Sequence, residues 1–476
     1  MKIYFFILLF FISLLSCSEQ QSQSFNVISY EMKVSYDTLN KNLKVKSIMH
    51  IKQTEPKEKI SFRFTSLARI TDIQLSANDK NYPVSYKFNS YSIFIDIPAQ
   101  FQEYKQLSLH IEYQIPIDMF SHNKIFSVSD VNMWCPFNYE DITTIKLDIE
   151  TPLNYEAFST GDLLFSTSDK NHSYYTWKNE NINGYLLIIS PKNSYSISKK
   201  MIDSKELEFY FVNHDTSITN NVMNEFCKSF HCFNTIICGY KDDKLRLYEI
   251  PDSGFYAMTS RKSIMVGSLM LAKKNRISYE RSIKSIFKTF DKLKNKSIFP
   301  EIVNNSFNND SADTNYIYTQ NLSWISHEIA HLWGYYYYKF NTRLYKFVTE
   351  GLAEYIRWMY IESEYGKDSL NTYISDLKYL FSKNCINTIY DIPVSMAGPS
   401  DAIQYFKGPL IFHYVRKQIG KENFISFIRT LYNKYFRKAI DYDIFRMELS
   451  KYDKSGKVIK RMEEMTEMTG ELPPDL

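Results

Sequence analysis

The stretch Trp324-Ile325-Ser326-His327-Glu328-Ile329-Ala330-His331-Leu332-Trp333 decides the reading of this chain, together with Thr349-Glu350-Gly351-Leu352-Ala353-Glu354 downstream. Leu322, Ile325, Ile329, Leu332 and Trp333 recur at helical spacing, so the first segment reads as a helix. His327 and His331 are four apart and stack on one helix face, where two imidazoles share a metal at about 2.0–2.1 Å. Glu328, one residue on from His327, is turned away from that position. It stands beside the metal, where a carboxylate takes a proton from bound water. A catalytic zinc uses three protein ligands and leaves the fourth position to water. Glu350 follows His331 with eighteen residues between them and is the candidate third ligand. It opens a second amphipathic run, Val348 to Met359, which a helical hairpin lays against the first helix. One zinc ion is therefore expected on His327, His331 and Glu350, with Glu328 as the candidate catalytic base. Glu354, on the same face as Glu350, is a candidate to orient a ligand histidine; a solvated helix charge is the competing reading. Ordinary polar residues on a helix face also produce H-E-x-x-H, but the apolar surroundings and the following E-G-x-A-E segment weigh against that here.

The full chain of 476 residues is long enough for two to four domains, and 44% hydrophobic residues supply large cores. Lys and Arg number 57 against 53 Asp and Glu, a net charge of +4, which leaves no electrostatic footprint for nucleic acid. Met1-Lys2 and the apolar run Ile3 to Leu15 form a leader too short to span a bilayer comfortably, so a signal peptide is expected. It ends Leu14-Leu15-Ser16-Cys17, similar to a bacterial lipobox, which implies cleavage before Cys17 and a lipid on its thiol. An ordinary secretory leader with a chance cysteine is the alternative. The polar tether Ser18 to Ser24 that follows favours the lipid anchor, and with it a lipid-anchored place in a bacterial cell envelope, on the outer membrane or facing the periplasm. Cys227 and Cys232 are near enough in sequence to bridge, and the sequence leaves that pairing open. Cys238, in Thr235-Ile236-Ile237-Cys238, reads as part of a buried strand.

Residues 25–199 read as an all-β domain. Tyr30, Met32, Val34 and Tyr36 alternate with polar residues, as do Leu43 and Val45. Further strands are expected at Lys59–Phe64, Ile70–Leu75, Tyr82–Phe88, Tyr91–Ile97, Leu107–Ile115, Ile145–Ile149, Tyr174–Trp177 and Tyr185–Ile189. His50, His110, His122 and His172 are scattered and read as surface or loop residues. From residue 200 to 454 the pattern is mixed and then helical. Strands are expected at Leu207–Val212, Thr235–Gly239 and Lys244–Ile250, with a helix near Ile218–Phe230. A helix is also expected over Tyr279–Leu293, and Asn304 to Gln320 reads as an exposed loop. Helices follow at Ser369–Phe381, Ala402–Gln418, Glu422–Tyr435 and Ile444–Tyr452. Residues 455–476 read as a loosely packed tail. The fold class is α+β and multidomain.

With H-E-x-x-H, eighteen residues and then Glu350, the chain resembles the M1 zinc metallopeptidases, the aminopeptidase-N and leukotriene-A4-hydrolase-like gluzincins. The resemblance implies an N-terminal domain of saddle-like antiparallel sheets, then a thermolysin-like, mostly helical zinc domain, with a peptide as substrate. In that family a tyrosine just before a Lys-Gly pair helps hold the developing oxyanion. Gln404-Tyr405-Phe406-Lys407-Gly408 matches, which gives Tyr405 that role. The family's Gly-x-Met-Glu-Asn edge strand carries the acid that binds the substrate amine. Its counterpart here runs from Gly254 through Ala257 and Met258 to Thr259, the candidate substrate-binding residues, and Thr259 or a neighbour stands where the acid is expected. The span between this strand and the zinc helix is longer than usual, which reads as an insertion around Tyr279–Gln320, and the family's long C-terminal helical domain is expected to be absent or reduced. The resemblance therefore favours an aminopeptidase. An endopeptidase-like relative lacking the amine anchor, or a non-catalytic envelope binding lipoprotein that kept the fold, are the alternatives. The sequence does not determine the oligomeric state.

Overall fold

A computed structural model of the chain describes residues 25–78, 80–89, 91–129, 132–138, 141, 143–182, 185–212, 216–251, 257–271, 314–334, 344–384, 386, 391–397, 403–436, 438, 440–474 and 476. The leader with Cys17, the tether, Gly254 and the helix expected over Tyr279–Leu293 lie outside the described residues.

The first part of the chain is all β. Its strands are β1 (Phe25–Asp37), β2 (Asn42–Gln53), β3 (Lys59–Arg63), β4 (Arg69–Ala77), β5 (Lys80–Pro83), β6 (Tyr86–Phe88), β7 (Ser92–Asp96) and β8 (Gln106–Pro116). They continue with β9 (Ser121–His122), β10 (Ile125–Ser129), β11 (Thr143–Pro152), β12 (Tyr155–Ser159), β13 (Asp162–Ser168), β14 (His172–Ile182) and β15 (Leu186–Pro191). An eight-stranded sheet runs β13-β14-β11-β1-β2-β8-β4-β5, beside a four-stranded sheet β12-β15-β10-β9 and a three-stranded sheet β3-β7-β6. Alternation sets the faces: Tyr30, Met32, Val34 and Tyr36 point inward along β1, opposite Leu43, Val45 and Met49 of β2. The register shift between Val27 and Ser29 is a bulge, which switches the buried parity from Phe25 and Val27 to Tyr30 and Met32. The apolar sides of the three sheets enclose one continuous core.

The next five strands form the hinge of the architecture: β16 (Ser196–Ile202), β17 (Lys205–Phe211), β18 (Lys244–Ile250), β19 (Ala257–Ser260) and β20 (Ser263–Gly267). They make one sheet in the order β16-β17-β18-β20-β19, in which β17, β18 and β20 are parallel. These parallel strands are apolar on both sides, as strands covered on both faces must be. Leu207, Phe209, Leu245, Leu247, Ile264 and Val266 face the helical core, while Tyr210, Tyr248, Ile250 and Met265 face the β core.

Helix α1 (Thr216–Ile236) makes the crossover between β17 and β18, and after β20 the described chain is helical. Its helices longer than a single turn are α2 (Thr314–Gly334), α3 (Leu352–Tyr365), α4 (Lys367–Asn384), α5 (Ile403–Ile419), α6 (Lys421–Tyr435), α7 (Tyr442–Ser450) and α8 (Lys457–Glu467), with a π-helical turn, Phe347–Gly351, leading into α3. Among the described residues no helix is long and apolar enough to cross a membrane.

Three expectations are corrected. Thr235 and Ile236 are helical, not a strand: Phe226, Phe230, Phe233 and Ile237 keep helical spacing and are all buried, so the apolar run extends the buried face of α1. The polar stretch read as a loop up to Gln320 is already helix from Thr314. The tail forms α8, whose Ile459, Met462 and Met465 enter the helical core, and Lys407 Nζ donates to Met468 O beyond it. Cys227, Cys232 and Cys238 are free thiols; burial pushes Cys232 and Cys238 up to about 11, so they pack rather than react.

The two cores are joined through basic residues at the starts of β18 and β20. Arg246 is buried, with Nε donating to Glu208 Oε2 at 2.7 Å, Nη1 donating to Gly161 O, and its guanidinium over the Trp177 ring. Gly161 takes φ +88° and presses on Lys178 and Asn179 so closely that no side chain fits there. Lys262 pairs with Asp162 at 2.9 Å beside it. Arg246→Ala is expected to destabilise the protein by about 2–4 kcal/mol, because it breaks a buried pair while Lys199 and Lys244 still reach Glu208. Denaturant unfolding of the variant against wild type measures this.

Candidate metal centre

The centre is built on α2. Ile325, Ile329, Leu332 and Trp333 are buried on its inner side. Trp333 sits among Phe230, Phe233, Tyr240 and Tyr432, and its Nε1 donates to Cys238 O at 2.8 Å, which fixes the rotation of the helix. With the helix so locked, His327, Glu328 and His331 share one side of it. All three are nearly enclosed, at 8%, 8% and 7% exposure. The π-helical turn and α3 then bring Glu350 and Glu354 against the same side.

His327 Nε2 and His331 Nε2 each lie 3.4 Å from Glu350 Oε2. Two donors at about 2.0–2.1 Å from a tetrahedral zinc stand roughly 3.3 Å apart, so these separations fit that ion. The three donor atoms all lie within 4.8 Å of one another. Glu354 Oε2 takes the other ring nitrogen, His327 Nδ1, at 2.9 Å. A carboxylate only accepts, so Nδ1 carries the hydrogen and Nε2 keeps its lone pair for a metal. Burial pulls the imidazolium of His327 down, yet Glu350 and Glu354 outweigh it and raise the metal-free group to about 10, so a metal binding at Nε2 displaces a proton from it. A site whose field favours positive charge this strongly suits a cation.

Each acid has its own counter-charge. Lys346 Nζ binds Glu350 Oε1 at 3.2 Å, and Lys346, His331 and His327 together overcome burial to hold that carboxyl well below its usual range. Arg357 Nε lies 3.1 and 3.0 Å from the two oxygens of Glu354, with Tyr373 OH and Trp358 Nε1 at 3.3 and 3.2 Å from Oε1. Burial is again outweighed, chiefly by Arg357, and Glu354 stays ionised. Glu354 is therefore no solvated helix charge. Sequence reading passed over Lys346 and Arg357, although their spacings of four from Glu350 and three from Glu354 are those of helix neighbours.

Tyr405, in the first turn of α5, lies beside the centre, its ring 5.7 Å from that of His327. The residue is exposed, at 37%, and its hydroxyl donates to Glu350 Oε2 at 3.1 Å. Burial, then Glu350 and Glu328, push it well above the usual phenol range, so it stays protonated and a donor. Lys407, its neighbour in the Lys-Gly pair, is buried and ties down α8 instead. Of the other expected residues, Ala257, Met258 and Thr259 form the edge strand β19. Thr259 Oγ1 lies 2.7 Å from Glu328 Oε2 and 2.8 Å from Glu328 O, a contact the sequence does not announce.

Residues 302–468 match the family model of the peptidase family M1 domain. The chain carries an M1 zinc metallopeptidase domain. It is similar in fold to the M1 zinc metallopeptidase from Deinococcus radiodurans, at TM-score 0.67 and 12% identity over 95% of each chain. A two-domain M1 zinc metallopeptidase variant bound to L-arginine matches at TM-score 0.68 and 13% identity over 95% of this chain and 96% of that one. A variant of the Deinococcus radiodurans enzyme bound to a Tyr-Ser-Ala substrate matches at TM-score 0.66 and 13% identity, again over 95% and 96%. No curated protein matches the chain. The N-terminal all-β region followed by a helical zinc region is thus the two-domain M1 arrangement.

Glu354→Gln is expected to weaken zinc binding about 10- to 100-fold, because the partner that fixes the His327 tautomer loses its charge. Competition with a chromogenic chelator, with metal content checked after dialysis, gives the number.

Proposed function

We propose that this M1 peptidase removes amino-terminal residues from peptides at a bacterial cell envelope, held there by a lipid on Cys17. The observation that carries the catalytic reading is the clustering of His327, His331 and Glu350 with Glu328 and Tyr405 beside them. The preference for the amino end is supported by likeness to enzymes bound to single amino acids and to a tripeptide. The lipobox-like Leu14-Leu15-Ser16-Cys17 supports the location.

His327, His331 and Glu350 would hold a zinc ion, which would supply polarisation of the scissile carbonyl and a lowered pKa for a bound water. The chain's own residues do the rest. Glu328 accepts the proton of the attacking water and returns it to the leaving amine. Tyr405, kept protonated by its surroundings, donates to the oxygen on which charge develops; a donor of this kind is worth about 10²–10³ in rate. Glu354 and Lys346 keep His327 and Glu350 in place throughout.

A second reading, cleavage within longer peptides, is favoured by Thr259. At the place where an acid would meet the substrate amine, this chain has a hydroxyl already bonded to Glu328. Zinc-loaded protein assayed on matched free and N-acetylated peptides separates the two: preference for the free peptides is expected, and equal rates would overturn the aminopeptidase reading. Glu328→Gln is expected to retain zinc and lose turnover; a near-normal rate would remove Glu328 from its role. Cys17→Ser is expected to abolish incorporation of labelled palmitate and to release the protein from the membrane fraction of a bacterial host.

A further inference from the structure

We propose that Thr259 is a positioning residue for Glu328, holding one carboxylate oxygen so that the other faces the reacting water. The proposal rests on Glu328 being the base.

The geometry starts with β19. This short strand is the edge of the middle sheet and pairs antiparallel with β20, Met258 opposite Met265 and Thr259 opposite Ile264. Neighbouring residues of a strand face opposite ways. Met258 packs against the β core with Met265, so Thr259 faces the helices with Ile264. That side carries α2, and the Thr259 hydroxyl meets it at Glu328, 2.7 Å from Oε2 and 2.8 Å from the main-chain oxygen.

A hydroxyl has one hydrogen. The Glu328 carbonyl stands in the ladder of α2, where the amide four residues on is its ordinary donor. The carboxylate is charged and draws the shorter, stronger bond. The hydroxyl is thereby assigned to Oε2, with the carbonyl as its second contact. Glu328 would otherwise turn about three side-chain torsions. With Oε2 fixed, Oε1 is the oxygen left to receive the proton. The β-branched side chain of threonine supports this, since its χ1 is restricted and its hydroxyl does not wander.

Thr259→Val keeps the shape and the branching and removes the hydroxyl; Thr259→Ser keeps the hydroxyl. The zinc-loaded full chain of each is compared with wild type for kcat, KM, zinc content and crystal structure. T259V is expected to lose roughly 10- to 100-fold in kcat with KM and zinc unchanged, T259S to keep most of the rate, and Glu328 to leave its conformer in the T259V crystal. The proposal is overturned if T259V keeps the wild-type kcat, if its loss falls on KM or on zinc content, if T259S is as impaired as T259V, or if Glu328 is unmoved in the T259V structure. Wild-type protein that cleaves no peptide sinks the peptidase reading instead, and the Glu328 conformer then decides the role of Thr259 alone.

Discussion

One imidazole held between two carboxylates sets the terms for the catalytic half of this molecule. Glu350 and Glu354 are four apart across the π-helical turn and the start of α3, and both reach the same ring. That spacing spans a histidine ring: Glu354 takes Nδ1 and Glu350 approaches Nε2. Bringing two acids this close in a nearly enclosed place is unfavourable unless each is compensated. Lys346 and Arg357 supply one cation apiece, from positions on the same helical segment. The ion pairs are thus internal to one element. The segment from Lys346 to Arg357 presents a finished, charge-balanced face to α2, whatever the distant parts of the chain do.

What the distant parts do is fix the distance. The middle sheet is apolar on both faces, so it bonds two cores rather than closing one. Its helical side seats α1 and α2, and its other side seats the β region through Arg246, Lys262 and Tyr248. The edge strand β19 inherits its position from this sandwich. The hydroxyl of Thr259 meets Glu328 because Met265 and Met258 are anchored in the β core on the strand's opposite side. The N-terminal sheets therefore reach the catalytic centre through a strand only four residues long.

The sequence made the centre legible wherever chemistry and helical period coincide. His327, Glu328 and His331 occupy one helix turn, and Glu350 and Glu354 another, so both sets were readable from spacing alone. The alternating strands from Tyr30 to Ile189 were readable for the same reason, with a period of two. Failures fall where the period is hidden. Strand β13, Asp-Leu-Leu-Phe-Ser-Thr-Ser, is exposed along its length and carries no alternation. The end of α1 is apolar and β-branched, and local preference mimics a strand there, whereas its buried face keeps the helical spacing. The contact between Thr259 and Glu328 depends on where two elements cross, which no local pattern encodes.

Tyr405 shows how much of such a crossing can rest on the absence of atoms. Helix α5 lies on the π-helical turn with Gly408 against Gly351; a Cβ on Gly408 would stand 3.2 Å from Gly351 Cα, and one on Gly351 would stand 3.4 Å from Gly408 Cα. One turn on, Phe412 stacks on Phe347 with ring centroids 4.4 Å apart. Pro409 lies between these contacts, inside the helix. Having no N–H, it cannot bond the carbonyl four residues back, which is that of Tyr405. The first turn of α5 therefore lacks one of its backbone ties, at Tyr405 itself. Outside contacts add to the remaining ones, with bare glycine backbone against the turn that carries Glu350. Tyr405 and Glu350 are in this way gauged against each other directly, through the glycine contact and the bond between them.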